Sequence, residues 1–191
     1  MKIGVLILAA GTASRMGAIK QLLPYENTFL LGKVIENIQG ILLKDIHVVL
    51  GANATEIKKA LSNYNVTCIE NPDYKNGLST SIVCGVKRLS NYDAILICLA
   101  DQPKIDSSYF QDLVALYKQN QDCIVTSKYP NKNGVPAIFP KSFYSRLLKL
   151  QGDKGAKELL NSELNFIKTI TNSEKLLDID TPEDYEKLTN S

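Results

Sequence analysis

Two stretches without a single polar residue, VLIL at 5–8 and AILICLA at 94–100, constrain the fold more than any other feature of the chain. A strand with one wet face alternates apolar and polar side chains, whereas an unbroken apolar run is covered on both faces, as in a parallel sheet. Strands are expected at Ile3–Leu8, Ile46–Leu50, Val66–Ile69, Ala94–Leu99 and Cys123–Thr126. Between them, Phe29–Gln39, Thr55–Ser62, Leu78–Leu89 and Ser107–Lys118 repeat apolar residues at helical spacing. Leu78, Ile82, Gly85, Val86 and Leu89, for instance, fall on one helical face. Strand and helix alternate, which predicts a three-layer α/β/α sandwich.

Past Thr126 the pattern loosens. KYPNKNGVP is rich in turn residues, AIFP suits a short strand between prolines, and KSFYSRLLKLQ suits a helix. A further helix is expected at Ala156–Leu160 after the GDKG turn, and a strand at Phe166–Ile170. The final DIDTPEDYEKL opens a helix: Thr181 is the N-cap, Pro182 takes the first helical position, and Asp184 completes a capping box. No repeat or linker interrupts the chain, and its 191 residues suit one domain spanning 1–191.

Net charge is only +2 and no block of Lys or Arg stands out, so the chain lacks the electrostatic footprint of a nucleic-acid binder. No stretch reaches the roughly 18 apolar residues of a membrane span. The opening MKIGVLILAAG reaches a turn at Gly11, with Arg15 and Lys20 soon after, and is read as a first strand rather than a signal peptide. Cys68, Cys84, Cys98 and Cys123 are far apart, which favours buried free thiols over disulfides or a metal site. These readings point to a cytoplasmic protein whose partners are small molecules, with neither nucleic acid nor membrane among them.

The segment LAAGTASRMGAIKQLLPY follows the first strand, where open parallel sheets bind their ligands. It is not a P-loop, since five residues separate Gly11 from Gly17 and Lys20 is displaced. Nor is it a dinucleotide fingerprint, since positions 13 and 16 are Ala and Met. Its ingredients still suit a phosphate. Gly11 permits close backbone approach, Thr12 and Ser14 add hydroxyl donors, Arg15 can grip an anion with two parallel bonds, and Lys20 supplies a compact charge. A surface loop with two solvated cations has the same composition.

The segment closely resembles the signature L-A-[AG]-G-x-x-x-R-[MF]-G-x-x-K-x-L-[LP] of the MobA/MocA-like nucleotidyltransferase family. NPDYKNGLSTSIVCGV, LADQP, NGVPAIFP, GDKGAKELL and DIDTPEDYEKL resemble further blocks of that family, in order and over nearly the whole chain. The molybdenum cofactor cytidylyltransferase branch is the best likeness. The resemblance implies a Rossmann-like, mostly parallel sheet of the nucleotide-diphospho-sugar transferase type. It also implies nucleotide binding by Leu8, Ala9, Ala10, Gly11, Arg15, Lys20, Gly77, Ser81 and Asp101, and catalysis by Arg15, Lys20 and Asp101.

Asp101 directly follows the apolar strand, where a carboxylate either caps the next element or holds a cation such as Mg²⁺. The resemblance favours Mg²⁺, with Asp180 as second ligand. Asp178 shares a face with Asp180 in D-I-D and rivals it. The implied reaction is attack on the α-phosphorus of a nucleoside triphosphate with loss of pyrophosphate. The single histidine, His47, lies in the strand IHVVL and reads as structural. An acceptor phosphate, already ionised, needs no general base. L-A-A-G favours CTP, and molybdopterin is the implied acceptor. Gly134, Pro136 and Asp153 are the acceptor-side candidates, although Asp153 could equally cap the helix near Ala156. Val135 stands where cytidylyltransferases often carry His, and offers no hydrogen bond. A sugar or alcohol phosphate acceptor, use of GTP, and a non-catalytic nucleotide-binding accessory protein are the other readings. Transient contact with a molybdoenzyme or its chaperone is a further partner that the resemblance implies.

Overall fold

The computed structural model describes residues 1–12, 16–41, 43, 45–162, 164–171 and 173–190. Strands β1 (Ile3–Ala9), β4 (Ile46–Leu50), β5 (Thr67–Glu70), β6 (Ala94–Leu99), β7 (Ile124–Tyr129), β8 (Lys132–Pro140) and β9 (Ile167–Ile170) form one seven-stranded sheet in the order β5-β4-β1-β6-β8-β7-β9. A small hairpin, β2 (Pro24–Tyr25) with β3 (Thr28–Phe29), lies apart from it. The helices are α1 (Leu30–Gln39), α2 (Ala54–Ala60), α3 (Leu78–Arg88), α4 (Ser107–Gln119), α5 (Tyr144–Leu147), α6 (Lys157–Ser162) and α7 (Pro182–Thr189). Within the seven-stranded sheet all neighbouring pairs are parallel except those of β8, which runs against both β6 and β7. The sheet is therefore mostly parallel, as expected.

The unbroken apolar strands are explained by cover on both faces. Val5, Ile7 and Ala9 of β1 join a core with Leu31, Ile35 and Ile38 of α1 and Phe110 and Leu113 of α4. Leu6, Leu8 and Ala10 turn the other way, toward Ile82 and Val86 of α3, Leu147 of α5 and Leu160 of α6. Each fully buried Val, Leu or Ile side chain stabilises by about 1.5–3 kcal/mol, so Val5, Leu6, Ile7 and Leu8 all contribute, two to each face. Helix α3 approaches β1 closely because position 85 is Gly, where an added Cβ would lie 2.3 Å from a Leu6 methyl.

The structure departs from the sequence-based expectation in several places. KYPNKNGVP is not simply a turn, because β8 begins at Lys132 and pairs with β7 from Tyr129↔Lys132. Pairing slips between Thr126 and Ser127, so Val135 and Pro136 form a bulge between partners Gly134 and Ala137. A proline without an N–H fits such an unpaired position. The helix expected over KSFYSRLLKLQ shrinks to a short turn and α5. Leu78 leaves the buried face of α3, being 40% exposed. All four cysteines are free, but only Cys98 is buried outright, the others being partly exposed. His47 is partly buried with Nδ1 3.3 Å from the Asp45 carbonyl oxygen. No helix among the described residues is long and apolar enough to cross a membrane.

Candidate active site

A cleft of about 420 Å³ opens beyond the carboxyl ends of β1 and β6, and most of the expected nucleotide-binding residues line it. Leu8, Ala9, Ala10 and Gly11 come from the end of β1, Lys20 from the turn that follows, Gly77 and Ser81 from the start of α3, and Asp101 from the end of β6. Asp153, Asp178 and Asp180 line it from later in the chain. Arg15 lies outside the described residues.

At its centre, the Lys20 ammonium reaches two carboxylates from distant parts of the chain. Lys20 Nζ donates to Asp101 Oδ2 at 2.5 Å and to Asp180 Oδ1 at 2.9 Å. The Lys20 and Asp101 side chains are only 13% and 17% exposed, whereas that of Asp180 is 44% exposed. Burial disfavours charge on Lys20, but the two carboxylates outweigh it and hold the lysine above its ordinary value. Burial pushes the Asp101 carboxyl up, with Lys20 pulling the other way. Asp101 Oδ1 is fully buried with no hydrogen-bond partner among the described residues.

Asp178 is held differently. Buried Gln102 donates from Nε2 to Asp178 Oδ1 at 2.6 Å and to the Tyr129 hydroxyl at 2.8 Å. That hydroxyl donates in turn to the Val135 carbonyl at 2.6 Å. Burial raises Asp178, against the pull of the Gln102 amide. The ammonium thus joins Asp101 to Asp180, and the amide occupies Asp178.

Local folding explains these positions. Gln21, buried beside Lys20, donates to the carbonyls of Ala9 at 3.0 Å and Gly11 at 3.3 Å, tying the far end of the first loop to the strand it leaves. The capping box expected at α7 is present, and Asp184 Oδ2 accepts from both Asp180 N at 3.2 Å and Thr181 N at 3.0 Å. The helix start therefore fixes the backbone that carries Asp180. Buried Asn71 donates to Thr80 Oγ1 and Ser81 Oγ, steadying the first turn of α3.

The three acceptor-side candidates fall in different places. Asp153 lines the main cleft rather than a separate pocket, and it caps α3 instead of the helix near Ala156, Oδ1 accepting from Leu78 N at 3.2 Å. Gly77, with φ of +106°, makes this possible by packing against Gly152. Pro136 lines neither cavity; its carbonyl accepts from Ser127 Oγ at 2.8 Å within the bulge. Gly134 does line a second cavity, of about 170 Å³, together with Val135, Tyr129, Lys132 and Lys157. Leu8, Leu78, Leu99 and Asp178 border both cavities, so the two adjoin. Gln21, Asn71, Gln102 and Tyr129 escaped the sequence reading; the position of Gln102 beside Asp101 was the one available cue.

Comparison with known proteins supplies the family. The profile described as MobA-like NTP transferase domain matches residues 5–167. The molybdenum cofactor cytidylyltransferase of Escherichia coli K12 is 30% identical, over 96% of this chain and 93% of that protein. The purine catabolism protein PucB of Bacillus subtilis 168 is 28% identical, over 96% and 94%. A Mycobacterium tuberculosis H37Rv protein solved in complex with manganese is 25% identical and superposes with a TM-score of 0.80 over 100% of both chains. By fold, by the composition of its cleft and by sequence, the chain belongs to the MobA-like NTP transferase family of nucleotidyltransferases.

Proposed function

We propose that the protein transfers a cytidylyl group from CTP to the phosphate of molybdopterin, releasing pyrophosphate. The observation that carries this reading is the Lys20 ammonium shared by Asp101 and Asp180 inside the cleft. An acceptor phosphate oxygen forms a bond to the α-phosphorus, the bond from that phosphorus to the α–β bridging oxygen breaks, and the electron pair leaves with pyrophosphate. Lys20, and Arg15 on the evidence of the sequence, offset the charge that gathers on the departing phosphates. Ala10, Gly77 and Ser81 line the cleft, and we assign them to the base and ribose. The second cavity adjoins the first and is edged by Lys132, Lys154 and Lys157, which suits an acceptor that carries an anionic group. Its lining is otherwise largely apolar, including Leu160 and Ile82.

Asp101 and Asp180 are the residues that would hold a divalent cation, which we assign as Mg²⁺. Two features favour this. The donors are carboxylate oxygens, the ligands that hard cations prefer, and Asp101 Oδ1 is buried without a partner among the described residues. No cluster of three or more His, Cys, Asp or Glu among the described residues could hold a metal, so substrate phosphate and water would complete the coordination. When bound, the cation supplies Lewis-acid neutralisation of phosphate charge. Asp178, engaged by Gln102, stands beside the pair. The four free thiols fit a reducing compartment, the cytosol.

Pyrophosphate release is the test, measured with CTP, GTP, UTP and ATP, each with Mg²⁺ and molybdopterin. Release is expected with CTP, and Asp101→Ala should lower it by about a hundredfold to a thousandfold while leaving the fold intact. Release with GTP alone would overturn the base assignment. Release only with a sugar phosphate would overturn the acceptor, and near-normal turnover of Asp101→Ala would overturn the metal role.

A further inference from the structure

We propose that Lys20 is a built-in stand-in for the divalent cation: its ammonium holds Asp101 and Asp180 together, excludes free metal, and is released only when a triphosphate arrives to receive it. This rests on the reading of the cleft as a nucleoside triphosphate site. Lys20 Nζ already satisfies one oxygen of each carboxylate, at 2.5 and 2.9 Å. A divalent cation competing for those oxygens must first break both contacts and leave the ammonium of a side chain that is 13% exposed without these two carboxylates. An uncompensated charge that far from water is costly.

The rest of the cleft points the same way. Among the described lining residues, the carboxylates of Asp101, Asp153, Asp178 and Asp180 face the ammonium groups of Lys20 and Lys75. A bare triphosphate would therefore meet a surplus of negative charge, and a bare metal would meet a locked pair of ligands. Metal and triphosphate together meet neither obstacle. Asp101 and Asp180 would then be free to hold the metal and Lys20 to receive the phosphates, so each ligand would relieve the penalty of the other, a positive coupling between the two. Gln102 keeps Asp178 from replacing Asp180 in the pair.

Isothermal titration of Mn²⁺ into nucleotide-free protein provides the test, with turnover playing no part. The wild type should bind Mn²⁺ alone weakly, and Lys20→Met should bind it on the order of tenfold more tightly, because two unlocked carboxylates are left in want of a cation. Lys20→Arg, which keeps the charge, should show no such gain. Unchanged or weaker Mn²⁺ binding by Lys20→Met would overturn the proposal. Should that variant fail to fold, the wild type decides. Binding of Mn²⁺ alone as tightly as of Mn²⁺ premixed with CTP, GTP, UTP or ATP would overturn it. If no premixed complex binds the wild type, the triphosphate reading itself fails. If a complex binds but Lys20→Met gains nothing, that reading survives and the stand-in role does not.

Discussion

In the half of the sheet formed by β5, β4, β1 and β6, every strand points its carboxyl end toward the cleft. Strand β8, in the other half, runs in reverse and meets the same edge with its first residues, Lys132 to Val135. The first half therefore shapes its site with loops, which are free to bring in backbone N–H groups and the Lys20 ammonium. The second half shapes its cavity with strand residues, whose side chains are set by pairing and by the bulge at Val135 and Pro136. Under the proposed function this difference would be a division of labour, with the parallel half holding the nucleotide and the reversed strand meeting the acceptor. Asp178 borders both cavities and marks the seam between them.

Gly77→Ala should have the largest effect on this division. Its Cβ would lie 2.5 Å from the Gly152 backbone at a φ of +106°, which costs on the order of 1–3 kcal/mol of stability. By displacing the loop that carries Asp153, it should also weaken CTP binding while sparing the acceptor KM. Thermal melts and nucleotide titration would check both, and an unchanged melting temperature would count against the close packing.

Lys132→Ala should do the reverse, raising the acceptor KM by about tenfold through loss of one charged contact, with CTP affinity untouched. Equal losses for both substrates would dissolve the separation drawn above.

Asp184→Ala should have the smallest effect, about 1 kcal/mol at neutral pH, through loss of the cap on α7. The Thr181 hydroxyl and the backbone N–H groups of Asp180 and Thr181 hold this carboxyl below its ordinary value of 3.8. Its folded value being depressed, the stability it adds is full above that ordinary value and is lost as the pH falls through the folded one. The gap between variant and wild type should accordingly narrow in acid, which denaturant melts at several pH values would read.

The parallel half was the legible one. Runs such as VLIL and AILICL announce themselves because burial on both faces removes every polar interruption. Helix α7 was equally plain, since Thr181, Pro182 and Asp184 specify a helix start by local chemistry alone. Only the end of β8 was legible, as the strand AIFP; its first half was hidden because Asn133, Gly134 and Pro136 carry turn chemistry, which only tertiary pairing overrides. In the site, charged residues in family-like blocks stood out, and the structure gathers Lys20, Asp101 and Asp180 around one point. The bracing amides of Gln21, Asn71 and Gln102 did not, because their role lies in what they touch across the fold. Neither periodicity nor motif records that.

The turn between β7 and β8, at Pro130 and Asn131, sits at the sheet edge that carries the cleft because β8 is reversed. Lengthening or reshaping that tip alters what borders the second cavity without disturbing the strand order or the first loop. A descendant of this chain could in that way acquire a new co-substrate through a short insertion, keeping its triphosphate chemistry whole.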